Sequence, residues 1–300
     1  MPIKTSVMRA NLRALSPLLK QSALSLEHAR GFQDKKGELM KLAYLMEADQ
    51  SEPFQLGDFF AAWAEPRHPP RHGVILYLHG GGYVFGGLDY ALGFGSILAT
   101  VTGRRVLCPG YRLAPERPYP AQLEDAVASY NHLLSLGYRG DEIVLCGESA
   151  GGGLVLALAL KLRDTGAQMP AGVVSISPWT DLTLSGESYA ANKKSDPSIS
   201  CEMLEYCRKM YAPGAENWLD PYVSPLMADL EGMPRCLMFA GGDEVLLSDS
   251  ILFADKLERA GGWCRLHVEE KMWHVYVLYA VEEARAARAK IAEFVEECIG

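Results

Sequence analysis

Residues 143–154 read IVLCGESAGGGL, and the architecture can be inferred outward from them. This stretch predicts a buried strand, a tight turn with a serine at its tip, and then an apolar helix. In a G-x-S-x-G turn the serine hydroxyl projects above the sheet, and a Cβ at Gly147 or Gly151 would clash with neighbouring backbone. Ser149 is therefore the candidate nucleophile, although a serine that only caps the helix is the plainer interpretation.

A second glycine-rich turn lies earlier in the chain. Val74 to Leu78 predicts a buried strand, which leads directly into His79-Gly80-Gly81-Gly82-Tyr83. Consecutive glycines let several backbone N–H groups face one point, which is what an oxyanion formed from a carbonyl requires. A flexible turn is the alternative, but it would not explain why the histidine-glycine run stands where the H-G-G-G pattern requires it.

Strands and helices alternate through most of the chain. Further strands are predicted at 59–63, 105–108, 171–177, 235–240 and 263–268, and helices at 88–101, 123–134, 200–211, 247–259 and 281–299. This alternation predicts an α/β fold in which helices cover both faces of a mainly parallel sheet, with function at the carboxyl ends of its strands.

The predicted core is interrupted by helical segments. Residues 1–50 predict two or three amphipathic helices, with breaks at Pro17, Gly31 and Gly37. Residues 183–222 form an insertion at the carboxyl end of a strand. We therefore assign 51–182 and 223–300 to the catalytic core, and 1–50 and 183–222 to a helical cap.

Composition excludes several classes of protein. The 300 residues carry a formal net charge of -8 without a basic cluster, which argues against binding nucleic acid or anionic lipid. No apolar run approaches the roughly 20 residues of a membrane span, and no secretory signal is evident at the N-terminus. The seven cysteines form no C-x-x-C pair, so free thiols in a reducing, cytoplasmic location are expected rather than a metal site or disulfides.

A serine nucleophile requires a base and an acid that orients the base. Two histidines follow Ser149 in the chain. His267 lies within a predicted strand, which leaves His274, in a loop at the catalytic edge, as the base. Asp243 follows a strand directly and is favoured as the acid over its neighbour Glu244 and over Asp249, which is better placed to orient the next helix.

Aromatic residues flank these positions. Tyr83, Phe85, Trp179 and Trp273 either line an apolar substrate cleft or pack in the core, and the sequence leaves both interpretations open. The polar residues Glu148 and Asp181 are better explained by structural hydrogen bonds than by direct chemistry.

Taken together, these motifs resemble the hormone-sensitive-lipase family of α/β-hydrolase esterases. The resemblance covers about residues 73 to 275, and its marks are His79-Gly80-Gly81-Gly82, Tyr111-Arg112-Leu113-Ala114-Pro115-Glu116, Gly147-Glu148-Ser149-Ala150-Gly151-Gly152, Ser177-Pro178-Trp179-Thr180-Asp181, Gly242-Asp243 and His274. It implies that Gly81, Gly82 and Ala150 donate the N–H groups of an oxyanion hole. Many members have aspartate at the position of Glu148, so we expect altered support of the loop and retained chemistry.

The resemblance also implies a reaction. The expected substrates are small neutral esters of short or medium acyl chain, cleaved through an acyl-enzyme without a cofactor or metal. The segment Met272-Trp273-His274 is similar to one in lactone hydrolases of the family, which adds cyclic esters to the expected substrates. An amidase and a non-catalytic small-molecule receptor on the same fold are the alternatives. Neither nucleic acid nor stable membrane association is expected, and a homodimer is left open.

Overall fold

A computed structural model of the protein describes residues 3–22, 30–31, 35 and 48–300. The first helix, α1, spans Thr5–Ser22 and continues through Pro17, so the predicted break at that residue is wrong. The second predicted apolar stretch of the N-terminal segment, around residues 39–46, lies outside the described residues.

A nine-stranded sheet forms the centre of the described fold. Its strands are β1 (Ala48–Gln50), β2 (Phe54–Leu56), β3 (Phe59–Pro66), β4 (Val74–Leu78), β5 (Arg105–Gly110), β6 (Ile143–Glu148), β7 (Gly172–Ile176), β8 (Cys236–Gly241) and β9 (Cys264–Glu269). The order is β1-β3-β5-β4-β6-β7-β8-β9, with β2 also paired to β3. Strands β4 to β9 run parallel, whereas β3 is antiparallel to β5, β1 and β2. The predicted mainly parallel sheet is confirmed.

Helices cover both faces of this sheet. The helices that follow α1 are α2 (Leu88–Thr102), α3 (Ala121–Ser135), α4 (Ala150–Asp164), α5 (Ser188–Ala191), α6 (Cys201–Tyr211), α7 (Leu247–Arg259) and α8 (Glu282–Ile299). The side chains of β4 alternate between two hydrophobic clusters: Leu76 packs with residues of α3, α4 and α7, and Ile75 packs with residues of α2 and α8. Because adjacent residues of a strand face opposite sides, both faces of β4 are buried, as its continuous apolar sequence predicted.

The insertion, residues 183–222, contains α5 and α6 and packs on the glycine-rich turn that follows β4. The ring of Tyr211 stacks on Tyr83 with centroids 3.7 Å apart, and the Tyr119 N–H donates to the Tyr211 carbonyl at 2.8 Å. Helix α6 begins after Ser200, whose hydroxyl accepts a hydrogen bond from the Met203 N–H, as expected of a capping serine. The contacts of Tyr211 with Tyr83 and Tyr119 bring the insertion to the carboxyl edge of the sheet.

Two further expectations concern the chain as a whole. All seven cysteines are free thiols, as their spacing predicted. Within the described residues, the helices are too short or too polar for any of them to span a bilayer.

Candidate active site

Ser149 occupies the sharp turn between β6 and α4. Its backbone has φ 55° and ψ −123°, a positive-φ conformation that residues other than glycine seldom adopt. A Cβ at Gly147 would lie 2.3 Å from the Gly151 carbonyl oxygen, and one at Gly151 would lie 2.1 Å from the Leu78 carbonyl oxygen. The predicted steric need for glycine on both sides of the serine is confirmed.

The structure brings Ser149 and His274 together. The Nε2 atom of His274 lies 2.9 Å from the serine Oγ, and the imidazole is buried in the loop after β9. A neutral ring that carries its proton on Nδ1 can accept the serine hydroxyl proton at Nε2. His267, the other histidine after the elbow, lies in β9, where its ring stacks on Phe239 with centroids 5.4 Å apart.

The Asp243 side chain, the predicted partner of His274, does not reach the imidazole. Its carboxylate pairs with Arg9 of α1 at 2.8 Å and is 30% exposed. The Glu244 side chain is fully buried instead, with Oε2 at 3.8 Å from the Nδ1 atom of His274. Adjacent residues of the turn point in different directions, and Glu244 is the one directed at the base.

Ser177 connects this carboxylate to the histidine loop, a role that the sequence reasoning missed. Its hydroxyl donates to Oε2 of Glu244 at 2.7 Å and accepts from the Val275 N–H at 3.0 Å. The backbone of Ser177 is left-handed, with φ 47°. The Ser177-Pro178-Trp179-Thr180-Asp181 motif was the available signal, but it gave no indication of which groups the serine would contact.

Asp249, the third acidic candidate, anchors backbone. One oxygen accepts from the N–H groups of Thr180 and Asp181, both at 2.8 Å, and the other accepts from the Tyr189 hydroxyl at 2.8 Å. It therefore ties the start of α7 to the segment that follows β7, whereas the helix itself has no side-chain cap.

The glycine turn after β4 presents backbone donors near the serine. Gly81 and Gly82 have φ values of 119° and 62°, and the Gly81 carbonyl accepts from the N–H groups of Val84 and Phe85. Within residues 48–300, no acceptor takes the N–H of Gly81 or Gly82. Ala150 is the first residue of α4, so its N–H has no partner within the helix.

Glu148 holds this turn in place. Its buried carboxylate accepts from the Gly80 N–H at 2.6 Å and from the Tyr77 hydroxyl. A Cβ at Gly80 would lie 2.8 Å from the Glu148 carbonyl oxygen, so the two turns are in direct contact. The structural role predicted for Glu148 is confirmed.

His79 is a buried, neutral support of the same turn. Its ring stacks on Tyr111 with centroids 4.2 Å apart, and Nδ1 donates to the Gly80 carbonyl at 2.7 Å. Burial lowers the pKa of His79 from its ordinary 6.5 to about 4. It is therefore uncharged near neutral pH and contacts the turn rather than the serine.

The four aromatic candidates lie in the interior. Tyr83, Phe85, Trp179 and Trp273 are all buried. Trp179 donates from Nε1 to the Asp181 carbonyl at 3.2 Å, and the Trp273 ring packs edge-on against Tyr279. These contacts favour packing, and the lining of a substrate cleft by the four residues stays a prediction.

The chain is similar to several known proteins. Residues 75–278 match the family model described as alpha/beta hydrolase fold. An esterase of Acinetobacter venetianus is 37% identical over 223 residues, 74% of either chain. An acetyl-hydrolase of Streptomyces hygroscopicus is 34% identical over 247 residues, 82% of either chain.

Solved structures give the same result. An esterase from the bacterial hormone-sensitive lipase family has a TM-score of 0.85 and 35% identity, with coverage of 96% of this chain and 98% of that chain. The chain therefore belongs to the hormone-sensitive-lipase family of α/β hydrolases. Its class of reaction is the hydrolysis of carboxylic esters.

Proposed function

We propose that this chain cleaves small neutral esters of short to medium acyl chain, with Ser149 as nucleophile, His274 as base and Glu244 as acid. The observation that carries the proposal is the 2.9 Å contact between the serine Oγ and the histidine Nε2. The acetyl-hydrolase among the relatives supports the short acyl chain. Cyclic esters stay a prediction, since they rest on the Met272-Trp273-His274 segment alone.

The reaction proceeds in two acyl-transfer steps. Ser149 Oγ attacks the ester carbonyl while Nε2 of His274 takes its proton, and the same proton then goes to the departing alcohol. The N–H groups of Gly81, Gly82 and Ala150 bind the oxyanion. A water molecule deprotonated by His274 then attacks the acyl carbonyl. The bond between that carbonyl and Ser149 Oγ breaks, the proton returns from His274 to Oγ, and the carboxylic acid leaves.

We assign the acid to Glu244 rather than to Asp243, which reverses the order favoured by the sequence. A carboxylate that orients an imidazole is most effective when it is shielded from water, and Glu244 is buried whereas Asp243 is partly exposed and paired with Arg9. The separation of 3.8 Å from Nδ1 exceeds a hydrogen bond, and catalytic contacts of this kind commonly tighten only when substrate binds.

We also propose that α1 and the insertion form the cap. Arg9 of α1 reaches Asp243 beside the acid, and Tyr211 of the insertion stacks on Tyr83 beside the oxyanion donors. Both segments therefore contact the carboxyl edge of the sheet, where the substrate must enter.

The test is a series of aryl esters of increasing acyl length, hydrolysed by the wild type and by Ser149→Ala. We expect Ser149→Ala to lose about a thousandfold or more in kcat, since the hydroxyl is the attacking group. Ser135→Ala removes an exposed hydroxyl at the end of α3 that donates to the His132 carbonyl, so it is the matched control and retains full activity. A non-catalytic receptor would be inert on every ester and unlabelled by an organophosphate. An amidase would prefer the matched amide.

The acid is tested separately by comparing Glu244→Gln with Asp243→Asn. Loss of the carboxylate that fixes the tautomer of the base costs about a thousandfold or more in kcat, so we expect this loss from Glu244→Gln. Asp243→Asn removes a partly exposed ion pair, so its effect should stay below about tenfold. The reverse ranking of the two variants would return the assignment to Asp243.

A further inference from the structure

The turn that carries Glu244 is held from two sides. On one side its N–H groups donate to the end of β9 and to the loop that leads to His274. The Gly242 N–H donates to the Glu269 carbonyl of β9 at 2.8 Å, and the Asp243 N–H donates to the Met272 carbonyl of the loop at 2.9 Å. These bonds fix the turn relative to the base.

On the other side, the same turn is bound by side chains of the insertion. Asn192 Nδ2 donates to the carbonyls of Gly242 and Glu244, at 3.2 and 2.9 Å. Ser195 Oγ donates to the Asp243 carbonyl at 3.1 Å, and Ser188 Oγ donates to the Val245 carbonyl at 2.6 Å. In the opposite direction, the Val245 N–H donates to Asp196 Oδ2 at 3.1 Å. One segment of nine residues, 188–196, therefore contacts every peptide carbonyl from residue 242 to residue 245.

Asn192 makes the contact that bears most directly on the acid. Its amide nitrogen bridges the carbonyls on either side of Asp243, one of which belongs to Glu244 itself. A single amide nitrogen offers two donors, whereas an aspartate in its place offers none and a serine only one. Both bonds together restrict rotation of the peptide groups from which the Glu244 side chain projects.

The amide is itself presented by a fixed backbone. The Asn192 N–H donates to the Ser188 carbonyl at 2.8 Å, and the Asn192 carbonyl accepts from the N–H groups of Ser195 and Asp196, each at 3.1 Å. These bonds place Asn192 at the end of α5 in a closed turn. A displacement of the insertion would therefore also move the turn of residues 242–245, which carries Glu244.

We propose that Asn192 is a positioning residue for the triad, through which the insertion sets the distance between the Glu244 carboxylate and His274. This inference rests on the proposed function, in which Glu244 is the acid. The insertion would then both cover the substrate and hold the Glu244 carboxylate in position. The Asn192 amide bonds to the turn that carries Glu244 and not to Ser149 or His274, so its effect must pass through Glu244.

The experiment is a double-mutant cycle on hydrolysis of p-nitrophenyl butyrate. Asn192→Ala is made in the wild type and in the Glu244→Gln variant. In the wild type we expect kcat to fall about tenfold or more with KM within about twofold, because small misplacements of catalytic groups are costly. In the Glu244→Gln background we expect a further change of less than about twofold, since the group that Asn192 positions no longer acts.

Asn217→Ala is the matched control. Asn217 lies in the same insertion and also donates from Nδ2 to a carbonyl, but to Pro213 at 2.7 Å within the insertion. It should leave kcat unchanged in both backgrounds. Asn192→Ser, which can satisfy only one of the two carbonyls, repeats the cycle if the alanine variant does not fold.

Each result decides between the possibilities. Equal losses in both backgrounds would mean a general structural role, and no loss in the wild type would mean no role, so either result overturns the proposal. If Glu244→Gln alone keeps wild-type kcat, the acid assignment fails and takes this inference with it. A severe loss from Glu244→Gln with an inert Asn192→Ala refutes only the positioning role.

Discussion

Replacement of His79 by asparagine should change how stability depends on pH. The imidazole is buried, its Nδ1 donates to the Gly80 carbonyl, and Nε2 has no acceptor in the described part of the chain. A second proton would therefore place a charge and an unsatisfied N–H in the interior. Asparagine keeps a donor near the position of Nδ1 but cannot be protonated.

The magnitude follows from the pKa of His79, which burial lowers from 6.5 in the unfolded chain to about 4. Between these two pH values the unfolded chain binds a proton at His79 and the folded chain does not. The stability that the neutral imidazole contributes is therefore fully present above pH 6.5 and is lost as the pH decreases toward 4. At about pH 4 the loss amounts to about 3 kcal/mol, at 1.36 kcal/mol per pH unit.

Asp196 acts in the opposite direction over part of the same range. Burial raises the pKa of Asp196 from 3.8 to about 6, against the lowering effects of His274 and of the Ser198 and Val245 N–H groups. Its contribution is present at low pH and is lost as the pH rises toward 6. The wild-type curve alone would hide the histidine, and only a difference between variants reveals it.

The assay is urea unfolding of the wild type and His79→Asn at about pH 7.5 and about pH 4. The variant loses the stacking on Tyr111 at either pH, so it is less stable at neutral pH. Its deficit should shrink, or reverse, by about 3 kcal/mol at the lower pH. The control His68→Asn replaces an exposed histidine and should parallel the wild type. The same deficit for His79→Asn at both pH values would refute the neutral, buried imidazole.

Two further predictions concern the oxyanion turn and the insertion above it. Gly82→Ala places a Cβ 2.6 Å from the Cys207 Sγ, so kcat should fall about a hundredfold because an oxyanion donor is displaced. The control is Gly57→Ala, at a glycine with a similar φ but open surroundings, which should lower stability without lowering kcat. Tyr211→Phe removes a buried hydroxyl that has no partner among the described groups but keeps the stacking on Tyr83. In urea unfolding the free energy of unfolding should rise by about 1 kcal/mol, and kcat/KM should stay within about twofold.

Local sequence patterns were enough to predict the architecture and to propose the nucleophile and the base. The alternation of apolar runs with amphipathic helices predicted the parallel sheet, because a strand buried on both faces has to be apolar throughout. Ser149 was recognisable because glycine is forced on its neighbours by contacts within one turn. His274 could be selected because His267 belongs to the periodic pattern of a strand. Each of these signals is local.

Two errors of the sequence analysis concern backbone whose structure depends on partners. Strands β1 and β2 have three residues each, too few to show a period, and they exist because β3 offers them a ladder of hydrogen bonds. Helix α1 continues through Pro17 although proline lacks a backbone donor. Neither result could be obtained from residue preferences alone.

The proposal of Glu244 as the acid depends on contacts between distant parts of the chain. Asp243 and Glu244 are neighbours of similar chemistry on one turn, so no spacing rule distinguishes them. Arg9 draws the Asp243 carboxylate toward α1, while Ser177 and the burial of the turn direct Glu244 toward His274. The insertion fixes the same turn through Asn192. These contacts join segments that are far apart in the chain, and side-chain direction on a turn is set by such contacts rather than by the turn's own sequence.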